Sequence, residues 1–142
     1  MFSELDRYKH TGHFFFTGKE DLEKVCNAPK NCSGVYLIYE LKDGHIDLVY
    51  IGSSGKVRND GTIKHDQDGL YGSIVNNRYS GKSPAKTAWK RKLKDENIDA
   101  WDVYWFDTFD GKNRDIPTMV QTVVMQIFLN LHGSLPRWNE EI

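Results

Sequence analysis

Two apolar segments near the middle of the chain, joined by a short turn, constrain its fold more than any other feature. The first segment reads GVYLIYEL over residues 34–41, and the second reads IDLVYIG over residues 46–52. Both are rich in Val, Ile and Tyr, which favour strands, and the connection Lys42-Asp43-Gly44 is typical of a tight turn. The pattern therefore predicts an antiparallel β-hairpin.

This hairpin would bring two tyrosines, Tyr36 and Tyr50, near each other on neighbouring strands. Paired phenols can hold a phosphate group or a water molecule through hydrogen bonds of their hydroxyls. Tyrosine is also common in strands for packing alone. The pattern by itself therefore leaves both interpretations open.

Local signals predict the other elements of the chain. Thr17-Gly18-Lys19-Glu20 resembles a capping box that opens a short helix, and Ser83-Pro84 is a good start for another. The predicted elements are helices over about 17–27, 69–78, 83–95 and 116–132, a loop over 53–67, and a strand over 101–108. The long helix has apolar residues at i, i+3 and i+4 spacing and Gly133 as its stop.

These elements predict an α+β fold, with a small antiparallel three-stranded sheet flanked by helices. A chain of 142 residues suits one domain with its own core. We expect an N-terminal arm over residues 1–16 and the domain over residues 17–142. The sequence lacks an apolar signal segment and a membrane-spanning stretch, and its two cysteines do not form a disulfide framework. These features favour a cytoplasmic protein without a membrane partner.

The charge of the chain is unevenly distributed, although the net charge is only −1. Residues 78–94 contain seven basic side chains and no acidic one: Arg78, Lys82, Lys86, Lys90, Arg91, Lys92 and Lys94. Lys86, Lys90 and Lys94 would share one helix face. Such a segment favours phosphate contacts with a nucleic acid, and the alternative is a solvated helix face.

The two tyrosine motifs, Gly34-Val35-Tyr36 and Tyr50-Ile51-Gly52, resemble the signature of the GIY-YIG nuclease superfamily, with Val35 in place of the middle Ile. Further matches follow in order and extend the resemblance over residues 22–139: residues 52–56 (GSSGK), 69–70 (GL), 103–105 (VYW) and 133–139 (GSLPRWN). The resemblance implies a DNA-directed endonuclease that uses Mg²⁺ or Mn²⁺ to hydrolyse phosphodiester bonds.

By the same resemblance, the motif tyrosines Tyr36 and Tyr50 lie near the attacking water and the phosphate, and Asn139 supports the site. The family also has an arginine on the first helix after the hairpin and a metal-binding glutamate on the later long helix. In this chain the arginine position falls on Ser73 and the glutamate position on Gln121. A neutral amide binds a hard dication much less well than a carboxylate does. The resemblance therefore implies a degenerate site with no intact metal position.

Several other polar residues are candidates for roles in chemistry. Lys64 follows the second motif, where some relatives use a lysine near the water, and we include it among the candidate catalytic residues. His65, Asp66 and Asp68 are near it but are typical of a solvated loop. His10 and His13 with Cys26 and Cys32 have loose spacing for zinc, which favours structural roles for all four.

Three functional hypotheses follow. The first is a nuclease-fold protein acting on DNA that is degenerate or inactivated, either naturally or by an engineered Glu-to-Gln change at Gln121. The second is a non-catalytic nucleic-acid-binding or regulatory protein. The third is a protein–protein interaction module, and self-association of the chain is consistent with all three.

Overall fold

The fold is described from a computed structural model, which covers residues 2–79 and 83–142. Six strands occur in this part of the chain: β1 (Thr11–Phe16), β2 (Gly34–Lys42), β3 (His45–Ser54), β4 (Lys56–Val57), β5 (Ile63–Lys64) and β6 (Ala100–Asp107). Four α-helices accompany them: α1 (Leu22–Val25), α2 (Gly69–Asn76), α3 (Ala85–Asp95) and α4 (Pro117–His132). The molecule is therefore an α+β protein, as predicted.

The main sheet is antiparallel and has four strands, in the order β1-β6-β2-β3. The predicted sheet had three strands because residues 11–16 were assigned to an arm. Those residues pair with β6 and place Phe14 and Phe16 in the core, while Phe15 points outward. Strands β4 and β5 form a separate two-stranded ribbon within the predicted loop.

The predicted hairpin is formed by β2 and β3. Asp43 and Gly44 both have positive φ values, 50° and 78°, and lie between the paired residues Lys42 and His45. Two successive residues with φ above zero are the requirement of a type I′ turn, which matches the twist of the strands. The Asp-Gly pair therefore sets the register of the hairpin.

Helices cover both faces of the sheet. On one face α2 and α3 pack over a core that includes four large aromatic side chains: Tyr79, Trp89, Trp101 and Trp138. On the other face α4 and the N-terminal residues cover Val35, Leu37 and Ile51. Because the central strands are buried on both sides, β2 has a nearly continuous run of buried residues.

Helix boundaries follow the local signals except at α1 and α2. Gly18 has a φ of +88°, so residues 17–20 form a turn, and the helix begins only at Leu22. Helix α2 ends at Asn76, two residues earlier than predicted, because Asn77 is extended. Helix α4 begins at Pro117 and ends before Gly133 in the left-handed conformation, as predicted.

Helix α4 has apolar side chains on its outer surface as well as in the core. Met119, Val123 and Leu131 are at least two-fifths exposed. The interaction-module hypothesis stays a prediction, and under it this apolar surface is where a partner would bind.

None of the helices in the described residues is long and apolar enough to cross a membrane.

Candidate functional site at the tyrosine pair

The hydroxyls of Tyr36 and Tyr50 converge on one side chain, that of Asn77. The Nδ2 atom of Asn77 donates to the hydroxyl of Tyr36 at 2.7 Å and to that of Tyr50 at 3.1 Å. The two phenol rings have centroids 6.0 Å apart. The motif tyrosines therefore meet on the same face of the sheet, joined by an amide just beyond α2.

Two features of the strands position these rings: the absence of a side chain at Gly52 and a β-bulge between β2 and β3. Gly52 lies opposite Tyr36, and a Cβ atom at Gly52 would be only 2.4 Å from the Cζ atom of Tyr36. The register of β2 and β3 shifts between Ile38 and Tyr39, which leaves Val49 as an extra residue just before Tyr50. Bulges of this kind often redirect a side chain beside a functional site.

A third tyrosine, Tyr79, completes the cluster. Its backbone has a φ of 44°, which is rare for a bulky residue, and its N–H donates to the Oδ1 atom of Asn77 at 2.8 Å. The Tyr79 ring stands perpendicular to that of Tyr50, with centroids 4.8 Å apart. Asn77 thus uses both ends of its amide, which fixes the direction in which its Nδ2 atom points.

Burial and the neighbouring Tyr50 hydroxyl raise the pKa of Tyr36 well above its usual value. The Tyr36 phenol therefore stays protonated at neutral pH. A protonated phenol can orient a water molecule but is a poor general base. The resemblance allows Tyr36 either to position the attacking water or to remove its proton, and this environment disfavours proton removal.

The position expected to hold an arginine contains a network of small polar side chains. The hydroxyl of Ser73 donates to the Oγ atom of Ser54 at 2.7 Å and is 3.3 Å from Oδ2 of Asp66. The backbone carbonyl of Ser73 accepts a long hydrogen bond, 3.4 Å, from the Tyr36 hydroxyl. This helix position therefore contributes no positive charge beside the tyrosines.

The Gln121 side chain does not provide a metal site. Its Nε2 atom donates to the carbonyl of Ile51 at 3.1 Å, and its Oε1 atom accepts from the hydroxyl of Ser53 at 2.8 Å. Helix α4 packs on the sheet face opposite the tyrosine pair. Within residues 2–79 and 83–142, no set of three ligating carboxylate, imidazole or thiol groups includes a residue of the tyrosine cluster. The position where the resemblance implies a metal-binding carboxylate therefore holds a neutral amide that is bonded at both ends.

Asn139 holds the C-terminal segment against the edge of the sheet. Its Oδ1 atom accepts from the N–H of Ile51 and its Nδ2 atom donates to the carbonyl of Ile51, both at 3.0 Å. A cavity of about 190 Å³ beside it is lined by Tyr50, Asn77, Tyr79, Trp138, Asn139, Glu140 and Glu141. The Tyr50 side of the cluster is thus reachable from solvent, next to two carboxylates.

The structure does not bring Lys64 to the tyrosines through any hydrogen bond in its described part. Lys64 is exposed and lies in β5, where it pairs with Lys56. The adjacent His65 contacts the hydroxyl of Ser33 through its Nδ1 atom at 2.5 Å. The catalytic role assigned to Lys64 stays a prediction.

The basic segment is partly neutralised by acidic neighbours. Lys90 is 2.6 Å from Asp21, and Arg91 and Lys92 pair with Asp95 and Glu96 one turn along α3 at 3.6 Å and 3.4 Å. Lys86 and Lys94 are exposed and have no ion pair among the described residues. Arg78 is exposed beyond the end of α2, and Lys82 lies outside the described residues.

Comparison with known proteins identifies no relative of this chain. No protein-family model matches the chain, and neither a curated protein nor a solved structure is significantly similar to it. The class of the molecule therefore rests on its own features: an α+β domain with a tyrosine cluster at the edge of an antiparallel sheet.

Sequence reasoning missed the central residue of the cluster, Asn77, and its neighbour Tyr79. The predicted helix ran through residue 78, which would have directed these side chains differently. An Asn near a helix end is a common capping or turn residue, so it carries no particular sign of a site. The only local hint was the glycine and serine content of residues 80–83, which indicates that the helix ends nearby.

Proposed function

We propose that this chain is a GIY-YIG-type nuclease-fold protein that binds DNA and does not hydrolyse phosphodiester bonds with a metal ion. The observation that carries the proposal is the meeting of the Tyr36 and Tyr50 hydroxyls at Asn77. The resemblance requires these two hydroxyls to share one site, and a tyrosine pair placed only for packing has no such requirement.

Loss of hydrolysis follows from the groups at the two positions where the resemblance implies charged side chains. Charge that develops on a phosphate during hydrolysis needs a cation or several preorganised donors. At Ser73 there is a hydroxyl bonded to Ser54, and at Gln121 there is an amide already bonded at both ends. The raised pKa of Tyr36 also removes a base that could activate water. Of the neutral groups that remain, Tyr50 and Asn77 are partly exposed at the cavity and could contact a phosphate oxygen there, whereas Tyr36 is buried.

The cations of α3 supply the attraction for a polyanion in this proposal. Lys86 and Lys94 lie two turns apart on one face, and Lys90 lies between them with Asp21 as its partner. Phosphate contacts made by such lysines orient a nucleic acid without reading its sequence. We therefore propose non-specific binding of DNA along the α3 surface.

A nicking assay tests the absence of hydrolysis. We expect supercoiled plasmid to stay supercoiled when it is incubated with the protein and either Mg²⁺ or Mn²⁺. Nicking that disappears in Tyr50→Phe would identify an active enzyme and contradict the proposal. A double variant, Gln121→Glu with Ser73→Arg, tests whether the site descends from an active one, and recovered nicking would support that origin.

Salt dependence tests the binding surface. We expect the affinity for a fluorescent DNA duplex to fall with salt, and the slope of log affinity against log salt to decrease by about 2 when Lys86 and Lys94 are both changed to Ala. Changing Lys9 and Lys112, which are exposed and outside α3, to Ala removes the same charge and is the matched control. Equal slopes for the two double variants, or no binding by the unmodified protein, would overturn the proposed interface.

A further inference from the structure

Three potential metal ligands of different chemical types meet at one end of the main sheet. His10 precedes β1, Cys32 precedes β2, and Asp107 is the last residue of β6. The Nδ1 atom of His10 is 3.1 Å from Oδ2 of Asp107 and 3.7 Å from Sγ of Cys32. All three ligand atoms lie within 4.8 Å of one another.

The two separations from His10 Nδ1, 3.1 Å to Asp107 and 3.7 Å to Cys32, are close to those that one small cation requires. Zinc binds sulfur at about 2.3 Å and nitrogen or oxygen at about 2.0–2.2 Å, so a tetrahedral ion places its ligand atoms roughly 3.2–3.8 Å apart. Thiolate and imidazole ligands favour zinc over the hard cations magnesium and calcium. Of the four residues that the sequence analysis weighed for zinc, the structure brings His10 and Cys32 together, whereas His13 and Cys26 lie outside the cluster. Asp107 is the third member, which the spacing did not indicate.

The backbone holds the three side chains in this arrangement. The N–H of Asp107 donates to the carbonyl of His10 at 3.0 Å, and the N–H of Leu70 donates to the carbonyl of Cys32 at 3.1 Å. The Oδ1 atom of Asp107 accepts from the N–H of Phe109 at 3.1 Å. This hydrogen bond from Phe109 orients the carboxylate so that its Oδ2 atom faces His10. In metal sites, contacts outside the ligand set orient the ligands in the same way.

We propose that His10 Nδ1, Cys32 Sγ and Asp107 Oδ2 form a zinc-binding site. Asp107 and Cys32 are buried, whereas the side chain of His10 is half exposed, so the cluster is open to solvent on one side. An open fourth position leaves room for a water molecule. The site is independent of the tyrosine cluster and of the motifs that carry the nuclease resemblance, since none of its three ligands belongs to either.

The molecule contains its own controls for this cluster. His13 and Asp102 form a second His–carboxylate pair with an Nδ1–Oδ1 distance of 3.0 Å, and no thiol completes a three-ligand set there among the described residues. Cys26 is buried like Cys32 but is not part of such a set in that same portion of the chain. If the site binds zinc as proposed, substitutions of His10 and Cys32 should weaken metal binding, whereas substitutions of His13 and Cys26 should not.

Cobalt substitution and zinc analysis test the proposal. The full chain is treated with a chelator, desalted and titrated with Co²⁺, and the thiolate-to-cobalt charge-transfer band is recorded. We expect one bound ion per chain, displacement of Co²⁺ by Zn²⁺, and loss of the band in Cys32→Ser and His10→Ala but not in Cys26→Ser and His13→Ala. His10→Ala changes a half-exposed side chain, so its result does not depend on a buried substitution being tolerated.

The pH dependence gives a second readout. A thiol binds zinc as the thiolate, so binding at Cys32 releases the thiol proton. The affinity should therefore increase as the pH rises from 6 to 8, by about tenfold per pH unit if one proton leaves. The proposal is overturned if no stoichiometric ion binds, if the band survives Cys32→Ser, or if both cysteine variants lose it equally.

Discussion

Replacing Gly34 by Ala should strongly destabilise this protein. A Cβ atom at this position would lie 1.8 Å from the carbonyl oxygen of Phe106 and 2.9 Å from the backbone nitrogen of Thr108. Both atoms belong to the main chain at the end of β6, so no rotamer change can relieve the contact. We expect the free energy of unfolding to fall by about 3 kcal/mol or more, measured by urea unfolding.

Gly111 is the matched control for this substitution. No heavy atom lies within 4 Å of a Cβ atom built at Gly111, and its φ is outside the left-handed region. Gly111→Ala should therefore be neutral, or stabilise the protein by up to about 1 kcal/mol through the unfolded chain. If Gly34→Ala were as well tolerated as Gly111→Ala, the close pairing of β2 with β6 would be wrong.

The motif glycines thus have separate structural reasons in this protein. Gly34 allows the central strand to approach β6, and Gly52 leaves room for the Tyr36 ring. The second contact explains why a glycine lies opposite Tyr36 in the hairpin. A larger residue at position 52 would push the Tyr36 hydroxyl away from Asn77.

The second large effect is expected from Arg137→Ala. The Nη1 atom of Arg137 is 2.8 Å from Oε2 of Glu40, a residue of β2 whose side chain is buried. The other carboxylate oxygen of Glu40 has no hydrogen-bond partner among residues 2–79 and 83–142. Removing the arginine leaves a buried carboxylate without its partner. Because the Arg137 side chain is itself half exposed, we expect a cost of about 2 kcal/mol of unfolding free energy, less than for a fully buried pair.

Two further variants separate charge from packing at this pair. Arg137 also lies over the Trp138 ring, 5.3 Å from its centroid, so truncation removes contacts as well as charge. Arg137→Met keeps most of the stem and should be nearly as destabilising as Arg137→Ala if the charge dominates. Adding Glu40→Leu to Arg137→Met should then recover most of the loss. A change within about 0.5 kcal/mol for Arg137→Ala would contradict the assigned role of the pair.

Elements with strong local signals were predicted close to their observed bounds. The Asp43-Gly44 turn, Ser83-Pro84 before α3, and Pro117 and Gly133 around α4 each restrict φ and ψ within a few residues. Such restrictions act in any context, so they can be deduced from sequence. Strand β1 was missed because its partner is β6, far along the chain, and only that pairing defines residues 11–16 as a strand.

The candidate sites divide in the same way. The proximity of Tyr36 and Tyr50 was deduced from the alternation of side chains along two neighbouring strands. Asn77 could not be deduced, because its side chain reaches the tyrosines only where α2 ends against the sheet. His10, Cys32 and Asp107 come from three segments that are far apart along the chain, so no spacing in the sequence joins all three.

The sequence by itself determined the hairpin, the helix boundaries near α3 and α4, and the α+β class, because backbone sterics and apolar periodicity act over short distances along the chain. The tertiary structure alone decided the fourth strand, the hydrogen bonds that hold Gln121 and Ser73, and the two clusters of polar side chains. Those features depend on which distant segments lie side by side, and that is settled only when the whole core is packed.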